Sequence, residues 1–207
     1  MKSRNSYLIP GVLIIALLLP YSALAGWRTG CVDCPRYFDG MNSRSLALDS
    51  SGNPHIVYGS RDGVYYAWYD GVSWHTETVN IDGGIFASIA IAIDSSDKVH
   101  IIYYDGYPNR ALKYATNASG SWVSEVVDSD GGWATSIAID SSDKVHISYS
   151  YYRGYPDYIN ALKYATNASG SWVSEVVDSD GGWATSIAID SSDKVISVIM
   201  LVIQIMT

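Results

Sequence analysis

The chain has 207 residues, of which 48% are hydrophobic, and this is enough for one domain with a sizeable core. Its 21 acidic and 13 basic residues give a net charge of −8 at pH 7. An acidic surface repels phosphate groups, so we expect neither a nucleic-acid partner nor an anionic membrane partner. The 17 tyrosines and 7 tryptophans outnumber the 2 phenylalanines, and aromatic rings with a polar atom are typical of binding surfaces.

Residues 1–25 have the pattern of a secretory signal peptide. Lys2 and Arg4 precede an apolar run from Leu8 to Leu19, and Ala23-Leu24-Ala25 matches a cleavage site. The run is shorter than the ~20 residues that a bilayer span needs. We predict a cleaved signal, a secreted or cell-surface protein, and no membrane span after cleavage. The mature chain keeps 11 basic and 21 acidic residues, a net charge of −10.

Two cysteines, Cys31 and Cys34, lie close together near the mature start. In a secreted chain this spacing favours a local disulfide, and two free thiols are the alternative. Haem attachment requires a histidine after the second cysteine, where Pro35 stands, and no second ligand pair for zinc lies nearby.

The rest of the chain consists of repeats. The segment Ala111 to Val145 recurs, letter for letter, as Ala161 to Val195. Looser copies precede it, and the aspartates that mark the repeat are Asp49, Asp94, Asp140 and Asp190, at spacings of 45, 46 and 50 residues. A period of this length is typical of β-propeller blades.

Each repeat contains four predicted strands. In the third copy they cover Ser136 to Asp140, Val145 to Tyr152, Ala161 to Thr166 and Trp172 to Val177, separated by polar turns and one longer loop. The first strand alternates small and branched residues, which suits the crowded axis of a propeller. We therefore predict an all-β protein of four-stranded antiparallel blades, with a flat solenoid of hairpins as the alternative.

The predicted domain boundaries leave the propeller incomplete. Blades cover residues 45–82, 90–128 and 136–178, and a partial fourth covers 186–207. Residues 26–44 form an N-terminal segment, in which Trp27 to Val32 could supply one outer strand. Closed propellers have four to eight blades, so we expect a fragment or one part of an assembly.

The stretch Ser45 to Tyr58 reads S-x-A-x-D-S-S-G-x-P-H-I-x-Y. It resembles secreted bacterial and archaeal propeller repeats related to the BNR or Asp-box group, which is sialidase-like. The resemblance implies a propeller used mostly for binding, with sialidases as an enzymatic branch. The Asp-box positions depart from the family pattern: Asp70 to Trp74 is short, and Thr116 to Trp122 lacks the aspartate.

Antiparallel strand order divides the loops between two ends of the blades. The loops joining strands two and three, and those joining successive blades, share one end and are long, aromatic and acidic. Rings can stack on sugars while carboxylates accept hydroxyl hydrogen bonds, so we predict a site for a glycan or a cell-surface polymer. The candidate ligand-binding residues are Tyr104, Asp105, Tyr107, Asp130, Trp133, Tyr155, Asp180 and Trp183. The alternative for Trp133 and Trp183 is a core position between adjacent blades.

Two other patterns in the repeats have a structural and a functional interpretation. Asp128-Ser-Asp130-Gly could be half of a calcium loop, but the D-x-D-x-D-G pattern is incomplete and an Asx-turn is favoured; no other cofactor is expected. His55, His100 and His146 recur after the marker aspartate, which favours a hydrogen bond to a turn over a metal or catalytic role.

Catalysis has little support in the sequence. The arginines of the mature chain follow no common register, and no nucleophile elbow, phosphate-binding loop or paired-carboxylate signature is present. We therefore predict a non-catalytic recognition module. The alternatives are a sialidase-like glycosidase fragment, whose two carboxylates can be distant in sequence, and a structural cell-surface repeat without a small ligand.

The C-terminal tail leaves the repeat after Val195. The register requires His-Ile-x-Tyr-Tyr, but Ile196 to Thr207 is an apolar run. Removing one nucleotide from a plausible coding sequence for the expected blade reproduces all residues of this tail. We therefore hypothesise a frameshift, and we expect the other reading frame of the gene to encode further blades.

Overall fold

The computed structural model describes residues 30–34, 36, 40–60, 62–80, 88–106, 108–153, 159–181, 184–199 and 202–205. The chain separates into two compact units, residues 1–31 and 32–207, and the architecture below belongs to the second. The predicted signal peptide and Trp27 to Arg28 lie outside the described residues. No helix in the described ranges is long and apolar enough to cross a membrane.

Four antiparallel sheets follow one another along the chain, and each is called a blade here. Blade 1 contains β1 (Leu46–Leu48), β2 (Pro54–Ser60), β3 (Gly63–Tyr69) and β4 (Trp74–Asn80). Blade 2 contains β5 (Ala90–Ile93), β6 (Val99–Asp105), β7 (Ala111–Thr116) and β8 (Val123–Asp128). Blade 3 contains β9 (Trp133–Ile139), β10 (Val145–Arg153), β11 (Ile159–Thr166) and β12 (Val173–Asp178). Blade 4 contains β13 (Thr185–Ile189), β14 (Val195–Ile199) and β15 (Val202–Ile205). The prediction of an all-β fold with four-stranded antiparallel blades is confirmed.

The strands run in sequence order within each sheet because every connection is a hairpin. Asparagine and glycine form the tight turns between the third and fourth strands. In blade 2, for example, Asn117 accepts the backbone N–H of Gly120, whose φ of 90° suits glycine. The first strand of each blade contacts the first strand of the next. This agrees with the prediction that the small-and-branched strands are innermost.

The core lies between the blades, because a single sheet cannot bury its own faces. Ile91 of the innermost strand of blade 2 packs with Val57 and Tyr66 of blade 1. Tyr149 of blade 3 packs with Ile102 and Leu112 of blade 2 in the same way. Alternation along each strand sends one set of side chains to the preceding blade and the other set to the following one. Each interface is therefore built from two neighbouring repeats.

A serine of each blade binds an aspartate of the next blade at the turn between the first two strands. Ser50 donates its N–H and its hydroxyl to Asp97 at 2.8 and 2.6 Å, and Ser95 donates to Asp143 at 3.0 and 2.9 Å. Ser141 and Asp193 repeat the contact between blades 3 and 4. The three aspartates have φ values of 58° to 60°, a left-handed conformation that aspartate tolerates better than most residues.

A tryptophan directly before the outer strand of blade 2, and its equivalent in blade 3, also contact the preceding blade, and we call this contact the tryptophan lock. Trp122 meets the ring of Tyr66 edge-on at 5.4 Å and donates its indole N–H to Glu77 at 2.9 Å. Trp172 binds Tyr114 at 5.1 Å and Glu125 at 2.7 Å in the same geometry. The lock joins the outer halves of the blades, which the innermost strands do not reach.

The C-terminal tail continues the sheet of blade 4 although its sequence leaves the repeat. Part of it forms β14 and β15, and β14 pairs with β13 on one side and with β15 on the other. The run is rich in isoleucine and valine, and branched residues favour strands even where the repeat is lost. Blade 4 therefore has three strands in its described part, and the tail occupies the places of the second and third.

The segment before blade 1 packs on the outward face of that blade. Tyr58 donates its hydroxyl to Asp33 at 2.7 Å, Arg36 binds the same carboxylate at 2.7 Å, and the guanidinium lies 3.7 Å from the centre of the Tyr65 ring. Cys31 and Cys34, on either side of Asp33, are both disulfide-bonded. The described residues 30–34 are irregular rather than a strand.

The tryptophan lock can be tested by truncation. We expect Trp172→Ala to lower the free energy of unfolding by about 2–3 kcal/mol, because it removes a half-buried ring and its hydrogen bond to Glu125. The neighbouring Val173 is 54% exposed, and Val173→Ala should change stability by less than about 0.5 kcal/mol. Chemical denaturation of both variants measures the difference, and equal effects would contradict the lock.

Candidate functional site

The blades present two different ends. The turns between first and second strands and those between third and fourth strands lie together, because Asn117 bonds to the backbone of Val99 next to the first turn of its blade. We call this end the turn face. The opposite end holds the loops between second and third strands and the connections between blades, and we call it the loop face. The predicted ligand-binding residues that the structure describes belong to the loop face.

The central feature of the loop face is an aromatic pair formed between blades 2 and 3. Trp133, the first residue of β9, is 41% exposed, and its ring centre lies 4.8 Å from that of Tyr104 at the end of β6. Tyr104 is 5% exposed, and this burial raises the pKa of its hydroxyl. The alternative interpretation, a core position for Trp133, is therefore wrong. The exposed indole rests on a buried tyrosine that limits its movement.

Two glycines place Trp133 at the surface. Gly131 and Gly132 have φ values of 151° and 145°, which side chains rarely adopt. A Cβ on Gly132 would lie 2.7 Å from Cβ of Leu112, closer than two carbon atoms can approach without repulsion. The backbone therefore crosses directly over Leu112 of blade 2 before it enters β9. A glycine at position 132 is required by this crossing.

The acidic residues of the connection between blades 2 and 3 have separate roles. Asp130 is exposed three residues before Trp133 in the chain, and its N–H binds Asp128 at 2.9 Å in the predicted Asx-turn. Asp128 also accepts the hydroxyl of Tyr149 at 2.6 Å and the ammonium of Lys163. Burial opposes ionisation of Asp128, but the hydrogen bonds from Lys163 and Tyr149 outweigh it and lower the carboxyl pKa. Asp128 joins two blades, and Asp130 is the carboxylate available to a ligand.

The prediction that Tyr104 and Asp105 contact a ligand directly is wrong, because both side chains are buried. Asp105 is 2% exposed, and it binds Lys113 at 2.6 Å and Asn109 at 2.9 Å. Both side chains are buried because they end β6 between two blades. Tyr104 therefore supports the exposed indole from below, and Asp105 anchors the loop that follows β6.

The remaining predicted residues are only partly described. Asp180 is exposed and forms an Asx-turn with Asp178 at 2.9 Å, as expected from the identical repeat. Tyr107, Tyr155 and Trp183 lie outside the described residues. Among the described residues, no group of three or more histidine, cysteine, aspartate or glutamate side chains could hold a metal ion.

The repeated histidines form buried hydrogen-bonded chains. His100 contacts Tyr114 at 2.6 Å through Nδ1 and Asp94 at 3.0 Å through Nε2, and His146 makes the same two contacts with Tyr164 and Asp140. Burial raises the pKa of Tyr114 to about 12. The prediction of a hydrogen bond from the histidine to the turn is confirmed for His100 and His146, whereas Nε2 of His55 lies 3.4 Å from the carboxylate of Asp49. All three histidines are buried near the turn face.

Arg44 is a residue at the loop-face end of the innermost strands that the sequence did not reveal. Its guanidinium donates to the backbone carbonyls of Thr135, at 3.2 Å, and of Thr185. Burial lowers its pKa. Blades 1, 3 and 4 thus meet at one side chain, which lies where the innermost strands converge. The equivalent positions hold Ile89, Thr135 and Thr185, so no repeat pattern pointed to an arginine.

No protein-family model matches the chain, and no curated protein matches its sequence. Solved structures do resemble the fold. A protein of unknown function from Dyadobacter fermentans is 13% identical, with a TM-score of 0.56, over 73% of this chain and 47% of its own. A polysaccharide lyase of family PL25, an ulvan lyase, is 15% identical, with a TM-score of 0.52, over 78% of this chain and 47% of its own.

The NanB sialidase from Streptococcus pneumoniae is also similar. It is 14% identical, with a TM-score of 0.50, over 74% of this chain and 26% of its own. This chain therefore spans about half the length of the first of these structures, 47%, and 26% of the length of the sialidase. At these identities the likeness concerns the fold.

The lowered pKa of the aspartates in the turns predicts that the folded protein loses stability in acid. Burial would raise the pKa of Asp140, but hydrogen bonds from His146 and from two backbone N–H groups lower it. A lowered pKa in the folded state stabilises the fold above the unfolded value of about 3.9, and this contribution is lost as the pH falls through the folded value. We expect the thermal midpoint to fall below about pH 4, with a shallower acid limb in Asp140→Asn. Thermal melts between pH 2 and 6 measure this; parallel curves would contradict it.

The glycine crossing can be tested against a glycine in an open turn. Gly120 has a φ of 90°, and no atom lies within 4 Å of the place that a Cβ would take there. Gly120→Ala should therefore cost about 1 kcal/mol from backbone strain alone. We expect Gly132→Ala to cost about 2–4 kcal/mol, since the collision with Leu112 adds to the strain. Denaturation curves and tryptophan fluorescence compare the two variants, and equal losses would contradict the close approach.

Proposed function

We propose that the chain is a secreted, non-catalytic recognition module that binds a glycan on its loop face. The observation that carries this proposal is the exposed indole of Trp133 on the buried ring of Tyr104, with the exposed carboxylate of Asp130 three residues earlier in the chain. A flat apolar surface that is restrained before binding loses little entropy when a sugar ring stacks on it. A neighbouring carboxylate accepts hydrogen bonds from sugar hydroxyls.

The comparisons support a carbohydrate ligand, and the acidic charge of the chain bears on the charge of that ligand. A net charge of −8 favours a neutral or cationic polymer over nucleic acid. Two of the solved structures that share the fold are named as carbohydrate-active proteins, a sialidase and an ulvan lyase. Disulfide-bonded cysteines agree with the oxidising compartment that a signal peptide implies.

Binding by Trp133 is testable with a glycan array. We expect the full chain to bind a subset of glycans, and Trp133→Ala to weaken that binding at least about tenfold, because a central aromatic anchor contributes on the order of 1.4 kcal/mol or more. Trp133→Phe keeps an aromatic face and should retain part of the affinity. Tyr104→Phe keeps the supporting ring and serves as the control for folding, which circular dichroism verifies.

The alternatives give different results in the same assay. A sialidase-like glycosidase would hydrolyse fluorogenic glycosides, and Asp130→Asn would then affect turnover rather than affinity alone. A structural surface repeat would bind no glycan and turn over no substrate. Glycan binding that Trp133→Ala leaves unchanged would place the site elsewhere and contradict the proposal.

A further inference from the structure

The hairpin turns between the third and fourth strands of blades 2 and 3 contain a sequence pattern that the loop-face proposal does not use. Asn117-Ala-Ser119 and Asn167-Ala-Ser169 are the only places in the chain where serine or threonine follows an asparagine after one intervening residue. An Asn-x-Ser sequence in which x is not proline is the acceptor pattern for N-linked oligosaccharides in secreted proteins. The equivalent turn of blade 1, which begins at Asp70, has no asparagine.

The fold presents this pattern to solvent. Ala118, Ser119 and Gly120 are all exposed, because the turn projects from the end of the hairpin. The hydroxyl of Ser119 makes a local hydrogen bond to the carbonyl of Ser121 at 3.2 Å, and the same bond recurs in blade 3. An enzyme can therefore approach the asparagine and the serine without separating β7 from β8.

The side-chain amide of Asn117 is held through one atom, and its other atom is available. Oδ1 accepts the backbone N–H of Val99 at 2.9 Å, and the backbone carbonyl of Asn117 accepts the N–H of Gly120. Nδ2 has no hydrogen-bond partner among the described residues, and solvent reaches this atom. Asn167 makes the same side-chain bond to Val145 at 2.9 Å. A substituent on Nδ2 consequently leaves the bond that anchors the turn intact.

We propose that Asn117 and Asn167 are sites of N-linked glycosylation on the turn face. The donor is an oligosaccharide attached to a lipid diphosphate, and a transferase of the secretory pathway uses it. Nδ2 forms a bond to C1 of the first sugar, the bond between C1 and the diphosphate oxygen breaks, the amide gives up one proton, and the lipid diphosphate leaves. No oxidant or reductant is involved. This proposal rests on the secretion that the proposed function includes, but not on ligand binding at the loop face.

The test uses the full chain, secreted by cells that contain an oligosaccharyltransferase. We expect the intact mass to show two oligosaccharides per chain, both removed by an amidase that leaves aspartate in place of the modified asparagine. The two turns lie in segments of identical sequence, so peptide mapping cannot tell them apart and variants must identify each site. Ser119→Ala and Ser169→Ala should each remove one oligosaccharide, and the double variant should remove both.

Two further variants separate modification from a structural role of the turn. Ser119→Thr keeps the acceptor pattern and should keep both oligosaccharides, whereas a serine needed only for the turn would not link this outcome to the attached mass. Asn117→Asp keeps an oxygen that can accept the Val99 N–H but removes the amide nitrogen. It should lose one oligosaccharide while the chain remains folded by circular dichroism.

The outcomes also separate this proposal from the loop-face site. The turn face lies at the opposite end of the blades, so the double variant should bind the glycan array as the unaltered chain does. A folded, secreted chain at its unmodified mass would overturn the proposal, as would oligosaccharides that persist in the double variant. Array binding that depends on Trp133 would then leave the proposed function standing without it.

Discussion

The fold depends on one constraint: no blade can bury its own sheet, so every blade needs its neighbour. Ile91 of blade 2 is buried only because Val57 and Tyr66 of blade 1 lie against it. Burying a branched side chain of this size contributes about 1.5–3 kcal/mol, and several such residues lie at each interface. Polar contacts then define the register at the two ends of the interface. Serine binds aspartate at the turn face, and Tyr149 binds Asp128 toward the loop face.

This constraint also explains the loop face. A connection between blades must leave the outer strand of one and reach the innermost strand of the next, and in blade 3 it does so over Leu112. Only glycine permits that approach, and the residue after it emerges between two blades. Trp133 is therefore exposed because of the path of the backbone. The buried Tyr104 below it belongs to the neighbouring blade, so the candidate site is shared by two repeats.

The sequence predicted the architecture well because the signals are local. Alternation and turn residues identified the strands, and the recurrence of His100 and His146 after the marker aspartates indicated a structural hydrogen bond. It predicted the site only partly. In the sequence, Tyr104 and Trp133 are both aromatic residues next to predicted loops, so both were expected to be exposed. Their different exposure depends on which blade covers each ring. The residues that contact Trp122 and Arg44 lie about one repeat or more away along the chain, and the local sequence pattern does not indicate contacts over such separations. The tail shows the reverse case, since its branched residues form strands although the register is lost.

The segment before blade 1 repeats a contact that joins two blades elsewhere in the chain. Asp33 accepts the hydroxyl of Tyr58 as Asp128 accepts that of Tyr149, although the described residues around Asp33 form no strand. The serine–aspartate contacts and the tryptophan locks that join blades are encoded within the repeat itself. A repeat copied by unequal recombination would consequently carry its own contact surfaces and fit behind any existing repeat. The letter-for-letter identity of Ala111 to Val145 and Ala161 to Val195 is the kind of record that a recent duplication of this sort would leave in a gene.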